Sequence, residues 1–338
     1  MRAVIFHRHD DVRVEDVPVP DIGAGEVLLR VAGCGLCGSD ILKLAEGTRP
    51  PVALGHELTG TVAESQTERF APGQRVVVAH HVPCGACAFC LRGSPTMCAQ
   101  FKASNLDPCG LAEYVRVSAA HAAHTAFALP DDLSDEAASF TEPLACCLRA
   151  LDRAALATVA DAVLVGLGAM GLLMLQALRA RRPEARAWGV DPVAARRALA
   201  VELGAADAFA SDADLPERVR AATVGRGADL VILTVGVRAA LATAQALVRD
   251  GGEIVVFAAQ PGEPVAFDLW DAYHRELRLT ASYSSTPTDL GAALGLLAAG
   301  DVRPEPLVSH RLPLASFHEG VALVRAHQAL KVYFDMRL

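Results

Sequence analysis

From Ala162 onward, short apolar runs alternate with stretches of helical periodicity, and this alternation constrains the fold more than any other feature. Strand-like runs at Ala162–Gly166, Ala187–Val190, Leu230–Val235 and Ile254–Ala258 are interleaved with helical runs at Gly171–Arg181 and Ala194–Leu203. Parallel strands need crossover connections, so the pattern predicts βαβ units around a doubly wound parallel sheet. The first strand runs into Gly166-Leu167-Gly168-Ala169-Met170-Gly171, a G-x-G-x-x-G that opens a helix. Gly166 permits the tight turn, Gly168 lets the backbone approach a pyrophosphate, and Gly171 lets helix and strand pack closely. The helix start offers unpaired N–H groups and partial positive charge to phosphates. Asp191 ends the next strand, about twenty residues on, as a dinucleotide fingerprint requires. There it would accept hydrogen bonds from the ribose hydroxyls and repel a 2′-phosphate, which favours NAD over NADP; a structural strand-end Asp is the plain alternative. Arg196 and Arg197 could tolerate a 2′-phosphate. Val235, Phe257, Ala258, Ser282 and Tyr283 complete the candidate cofactor contacts, with Ala169 and Met170 in the turn.

At 338 residues the chain exceeds the roughly 250–300 at which single cores stop growing, so two domains are expected. The first third is β-rich: runs at Val12–Val19, Val27–Val31, Leu58–Val62 and Arg75–Ala79 are punctuated by Pro, Gly and Asp. The pattern changes at Ser134-Asp135-Glu136, a polar cap followed by acids that reads as a helix start. It changes again after Tyr283, with helices at Asp289–Ala299 and Ser316–Ala326 and strands at Val308–Leu312 and Lys331–Phe334. The expected division is 1–134 with 284–338 as one domain and 135–283 as the dinucleotide-binding domain. With 31 basic against 39 acidic residues, a net charge of −8 and scattered basic positions, nucleic acid is not an expected partner. The apolar stretch Val163 to Leu178 is shorter than the ~20 residues of a membrane span and carries three glycines. The N-terminal apolar run is too short for a secretory leader, so a soluble cytoplasmic protein is expected.

Cys84, Cys87, Cys90 and Cys98 form C-x2-C-x2-C-x7-C within residues 84–98. Four thiolates on so short a loop converge on one tetrahedral ion, the closed shell of a structural zinc. A disulfide framework would need an oxidising compartment. A second, open metal site is offered by Cys37 in Cys37-Gly38-Ser39-Asp40 and by His56 and Glu57 in Gly55-His56-Glu57. Cysteine, histidine and carboxylate together can hold zinc with one position free.

Cys-Gly-Ser-Asp, Gly-His-Glu, the four-cysteine lobe and Gly-x-Gly-x-x-Gly, in this order along the chain, resemble the medium-chain zinc-dependent alcohol/polyol dehydrogenases. The resemblance implies a β-rich GroES-like catalytic domain carrying the zinc lobe, joined to a Rossmann domain. It implies that Cys37 and His56 ligate a catalytic zinc, that Glu57 sits on or beside it, and that Ser39 relays the alcohol proton. Where alcohol dehydrogenases place a second cysteine, this chain has Thr141-Glu142-Pro143-Leu144, which resembles sorbitol dehydrogenase, whose carboxylate binds zinc directly or through water. Cys146, Cys147, Cys34 and Cys109 read as core thiols. Two zincs per chain, NAD and a polyol or cyclitol substrate follow, in a homo-oligomer, tetramer or dimer.

Three positions depart from the family pattern. Leu42 stands where many relatives carry the outer proton acceptor, a histidine. Gln66 and Gln74 alter the loop after Gly-His-Glu, and Ala281-Ser282-Tyr283-Ser284 keeps only the tyrosine of an Arg-Tyr pair. The alternatives are a threonine-type or simple secondary-alcohol dehydrogenase, and a relative that binds NAD without turnover. A threonine substrate would want a basic residue in the pocket, and the sequence assigns none.

Overall fold

The alternating runs of the second half fold as a six-stranded, all-parallel sheet. Its strand order is Asp207–Phe209, Arg186–Val190, Asp161–Val165, Ala228–Leu233, Val248–Val256, Arg278–Ala281. In chain order this is 3-2-1-4-5-6, the doubly wound arrangement in which ligands bind where the order reverses. Asp161–Val165 and Ala228–Leu233 flank that reversal and are buried at every position. Strands covered by helices on both faces have no solvent side to present, which is why Ala162–Val165 and Leu230–Leu233 read as apolar runs. Helix Ala169–Arg181 buries every residue from Gly171 to Leu178 and ends on Arg179 and Arg181, beside the negative end of its dipole.

The computed structural model describes residues 1–338 except 46, 47, 51, 237, 261 and 263. The chain divides into two compact units, Met1–Ala145 with Ser285–Leu338, and Cys146–Ser284. The first division falls inside helix Thr141–Arg153, later than the pattern change at Ser134. Ser134 does cap a helix, accepting from the Ala137 N–H at 3.1 Å, but Asp135–Ala138 is only four residues long.

The first unit is built on a seven-stranded sheet. Its path is Val308–Leu312, Lys331–Asp335, Val27–Gly35, Glu57–Ser65, Arg75–Val78, Ala126–Ala128, and Tyr114–Val117 pairs with Val27–Gly35. The central strands Val27–Gly35 and Glu57–Ser65 bury most of their length in a core of Leu29, Val31, Leu58, Val62, Val76 and Phe334. Antiparallel register pairs Gly35 with Glu57 and Leu58 with Val78. One end of the sheet therefore carries the exit of Val27–Gly35, the entry of Glu57–Ser65 and the exit of Arg75–Val78. Cys37, His56 and His80 emerge there together.

Candidate active site

Cys37 is the N-cap of helix Gly38–Lys43, and its sulfur accepts from the Ser39 N–H at 3.5 Å and the Ser39 hydroxyl at 3.3 Å. Asp40, three residues on, closes the cap by accepting from the Cys37 N–H at 3.3 Å. The same fully buried carboxylate accepts from the Gly55 N–H at 3.1 Å and lies 3.4 Å from His56 Nδ1. Gly55 adopts φ +77°, and a Cβ there would run into Leu111, so a glycine is required to turn the chain into the strand. Asp40 thus faces one nitrogen of His56 and leaves Nε2 toward Cys37, with the Ser39 hydroxyl 3.4 Å from Nε2. Burial alone would raise the Asp40 carboxyl, but His56 and Lys43 hold it well below the usual range. Burial would likewise lower His56, and Asp40 and the Cys37 sulfur reverse that and raise it.

The ligand atoms of Cys37, His56 and Glu57 all lie within 4.8 Å of one another. Glu57 faces a partner that the motifs did not reveal: the Lys331 ammonium reaches its two oxygens at 2.5 and 2.8 Å, and both side chains are buried. Gly35 makes room, because a Cβ on it would overlap Glu57 Oε2. Burial opposes the charge on Lys331, but Glu57, then Cys37 and Glu142, keep it protonated. Glu142 is buried in the first turn of helix Thr141–Arg153, outside the 4.8 Å group. Asp40, Lys331 and His80 are the residues the motif reading left unassigned. Asp40 stood inside a quoted motif, and Lys331 opens an apolar strand where a lysine is out of place.

The sulfurs of Cys84, Cys87, Cys90 and Cys98 also gather within 4.8 Å, with Cys84–Cys90 at 3.9 Å and Cys87–Cys90 at 3.6 Å. A tetrahedron of Zn–S bonds of about 2.3 Å has sulfurs about 3.8 Å apart, so the donor set fits the ion. Backbone N–H groups already serve these sulfurs, from Cys84 to Cys98 and from Cys87 to Cys84. The Cys84 N–H, with Phe101, draws the Cys98 thiol down to about 6. None of the nine cysteines is in a disulfide; Cys34, Cys109 and Cys147 are buried, and Cys146 is partly so.

In the second unit Gly166 takes φ +98°, and a Cβ on Gly171 would overlap the Gly166 carbonyl. Gly168 caps helix Ala169–Arg181 with nothing within 4 Å of where a Cβ would sit, which leaves the helix start open to a phosphate. Ala169 and Met170 form its first turn, half-buried. Thr234 and Val235 close on Gly166 from the neighbouring strand end. Phe257 and Ala258 follow Val248–Val256 and both donate to the Leu233 carbonyl. Ser282 donates its N–H to the Val256 carbonyl, its hydroxyl is buried without a hydrogen-bond partner among the described residues, and Tyr283 is exposed. The buried Asp191 carboxylate accepts from the Leu167 and Val193 N–H groups, both at 2.8 Å, with Arg196 3.8 Å away. Asp191 therefore braces the glycine turn.

Residues 23–131 match the Alcohol dehydrogenase GroES-like domain, and residues 169–299 match the Zinc-binding dehydrogenase family. A sorbitol dehydrogenase of Gallus gallus is 30% identical over 98% of this chain and 95% of its own. An L-threonine 3-dehydrogenase of Bacillus licheniformis is 30% identical over 94% of this chain and 93% of its own. The chain belongs to the medium-chain zinc-dependent alcohol/polyol dehydrogenases. Among solved structures, a zinc-binding dehydrogenase from Sinorhizobium meliloti bound to NADP superposes with a TM-score of 0.87 at 30% identity, covering 99% of this chain and 98% of that one. This dehydrogenase is accordingly an oxidoreductase that uses zinc and a nicotinamide dinucleotide. Among the described residues no helix is long and apolar enough to cross a membrane.

Proposed function

We propose that this dehydrogenase oxidises a secondary hydroxyl of a polyol or cyclitol with NAD. In this reading residues 1–145 with 285–338 form the zinc-binding catalytic domain and 146–284 the NAD-binding domain. Cys37 and His56 ligate the catalytic zinc, Glu142 completes the set directly or through water, and Cys84, Cys87, Cys90 and Cys98 hold the structural zinc. Bound zinc supplies Lewis acidity toward the hydroxyl, and the nicotinamide ring accepts the hydride. Ser39, hydrogen-bonded to Cys37 and near His56, takes the hydroxyl proton outward. Leu42, exposed where an acceptor would stand, passes the proton no further, so it leaves through water or the ribose hydroxyls.

The observation that carries the substrate class is the carboxylate at residue 142. It makes the metal corner harder and adds an acceptor suited to a vicinal hydroxyl. Lys331, the ammonium paired with the Cys37–His56–Glu57 group among the described residues, is committed to Glu57, which disfavours a threonine carboxylate. An NAD reduction panel should place polyols or cyclitols at least ~100-fold above ethanol and 2-propanol in kcat/KM, since a site built to pair a hydroxyl rejects substrates lacking it. Simple alcohols or threonine winning that panel would overturn the reading.

NAD preference rests on Asp191. Asp191→Ala should narrow the kcat/KM ratio of NAD to NADP by roughly tenfold, because ribose hydrogen bonds are lost and a repulsive neighbour of the 2′-phosphate is removed. An unmodified enzyme indifferent to the two cofactors would refute the assignment. The need of the zinc lobe for reduced thiols supports a cytoplasmic location. A homo-oligomer is supported by the exposed Leu269, Trp270 and Tyr273, each more than 70% accessible, and by Arg278–Ala281 at the sheet edge.

A further inference from the structure

His80 follows strand Arg75–Val78 at the sheet end that also presents Cys37 and His56. Its ring lies 4.5 Å from that of His56 and 3.8 Å from that of His81, centroid to centroid. Its surroundings fix it in place. His81 Nδ1 is 2.7 Å from the Ser104 carbonyl, so that nitrogen carries the proton of the His81 ring. His121 Nε2 donates to the His80 carbonyl at 2.9 Å, and its Nδ1 accepts from the Ser118 hydroxyl at 2.8 Å. Thr125 ties down Ala79, donating its hydroxyl to the Ala79 carbonyl at 3.3 Å and accepting the Ala79 N–H on its own carbonyl at 3.1 Å. Among the described residues two imidazole nitrogens here are buried without a hydrogen-bond partner: His56 Nδ1, which has the Asp40 carboxylate 3.4 Å away, and His80 Nδ1. A buried imidazole nitrogen left unpaired is costly, and such exceptions call for an explanation. A neutral imidazole offers one donor and one acceptor nitrogen.

We propose that His80 is a specificity residue whose imidazole hydrogen-bonds the substrate hydroxyl on the carbon next to the one oxidised. A hydroxyl both donates and accepts, so it satisfies the unpaired nitrogen in either tautomer; a C–H in its place leaves that nitrogen unpaired. The inference rests on the polyol reading of the Cys37–His56 site and adds the residue that reads the second hydroxyl.

The test compares the parent with His80→Phe and His80→Asn, using 2,3-butanediol and 2-butanol as a vicinal diol and its mono-alcohol counterpart, with zinc content measured on each protein. Phenylalanine keeps the ring packing without the nitrogens; asparagine keeps a donor and an acceptor in a smaller side chain. His80→Phe should retain two zincs, while its kcat/KM ratio of 2,3-butanediol to 2-butanol falls about 10–100-fold, mainly through KM because the contact is made before and during reaction. His80→Asn should recover part of that preference. A parent that prefers the diol, with variants that keep the same ratio, overturns the His80 inference alone. A parent with no diol preference overturns the substrate reading and this inference with it. Loss of zinc or of folding in both variants makes His80 a structural support and overturns the inference.

Discussion

Replacing Lys331 with methionine is expected to destabilise the unit of residues 1–145 and 285–338 by about 3–5 kcal/mol, the usual consequence of removing one partner from a buried ion pair. Methionine fills most of the lysine volume, so the loss comes from electrostatics and leaves packing largely intact. Glu57 would then be a buried carboxylate with its strongest partner gone, in a space that Gly35 shapes to fit it. The double variant Lys331→Met/Glu57→Gln removes both charges and should recover most of the loss. Urea and thermal midpoints of the single and double variants, measured with zinc bound, give the answer. Equal destabilisation of the two would show that the pair is not the source.

Removing a single ligand should separate the two metal sites. Cys37→Ala is expected to retain one zinc per chain and to lose about 10³-fold or more in kcat/KM, since the Lewis acid supplies several kcal/mol of transition-state stabilisation. Its thermal stability should change little beside that. Cys87→Ser should also retain one zinc, but with the opposite signature. The four-sulfur shell is a folding unit closed by its metal, so the lobe loosens and stability falls while a substantial share of turnover per folded molecule remains. Metal analysis beside kinetics and melting distinguishes the two. If both variants keep two tightly held zincs, the ligand assignments are wrong.

Much of this fold was readable from the sequence because its signals are local. Parallel strands covered on both faces read as apolar runs, and Ala162–Val165 and Leu230–Leu233 do. The glycine turn at Gly166 and the capped start at Ser134 are likewise short-range features. The three-residue strands Asp207–Phe209 and Ala126–Ala128 escaped notice because three residues hold too little alternation to stand out. Helix Arg238–Leu247 escaped because its alanine-rich run resembles the general composition of the chain. In the site, Cys37, His56 and Glu57 were visible as motifs. Lys331 was not, because its partnership with Glu57 spans 274 residues and follows from strand order rather than from any spacing. His80 was hidden for the same reason: only the register of Leu58 with Val78 brings it beside His56.

That long-range closure bears on biosynthesis. Strand Lys331–Asp335 lies between Val308–Leu312 and Val27–Gly35, so the sheet of the first unit lacks an interior member until residues 331–335 have been made. At about 5–20 residues per second, Glu57 is made on the order of tens of seconds before Lys331. The intervening Cys146–Ser284 unit is complete in sequence before that and can fold as a unit in the interval. During that wait the nascent first unit holds an acidic side chain without its cation and an unpaired edge on Val27–Gly35. Both invite chaperone capture or premature association, and both disappear once the last strand is inserted.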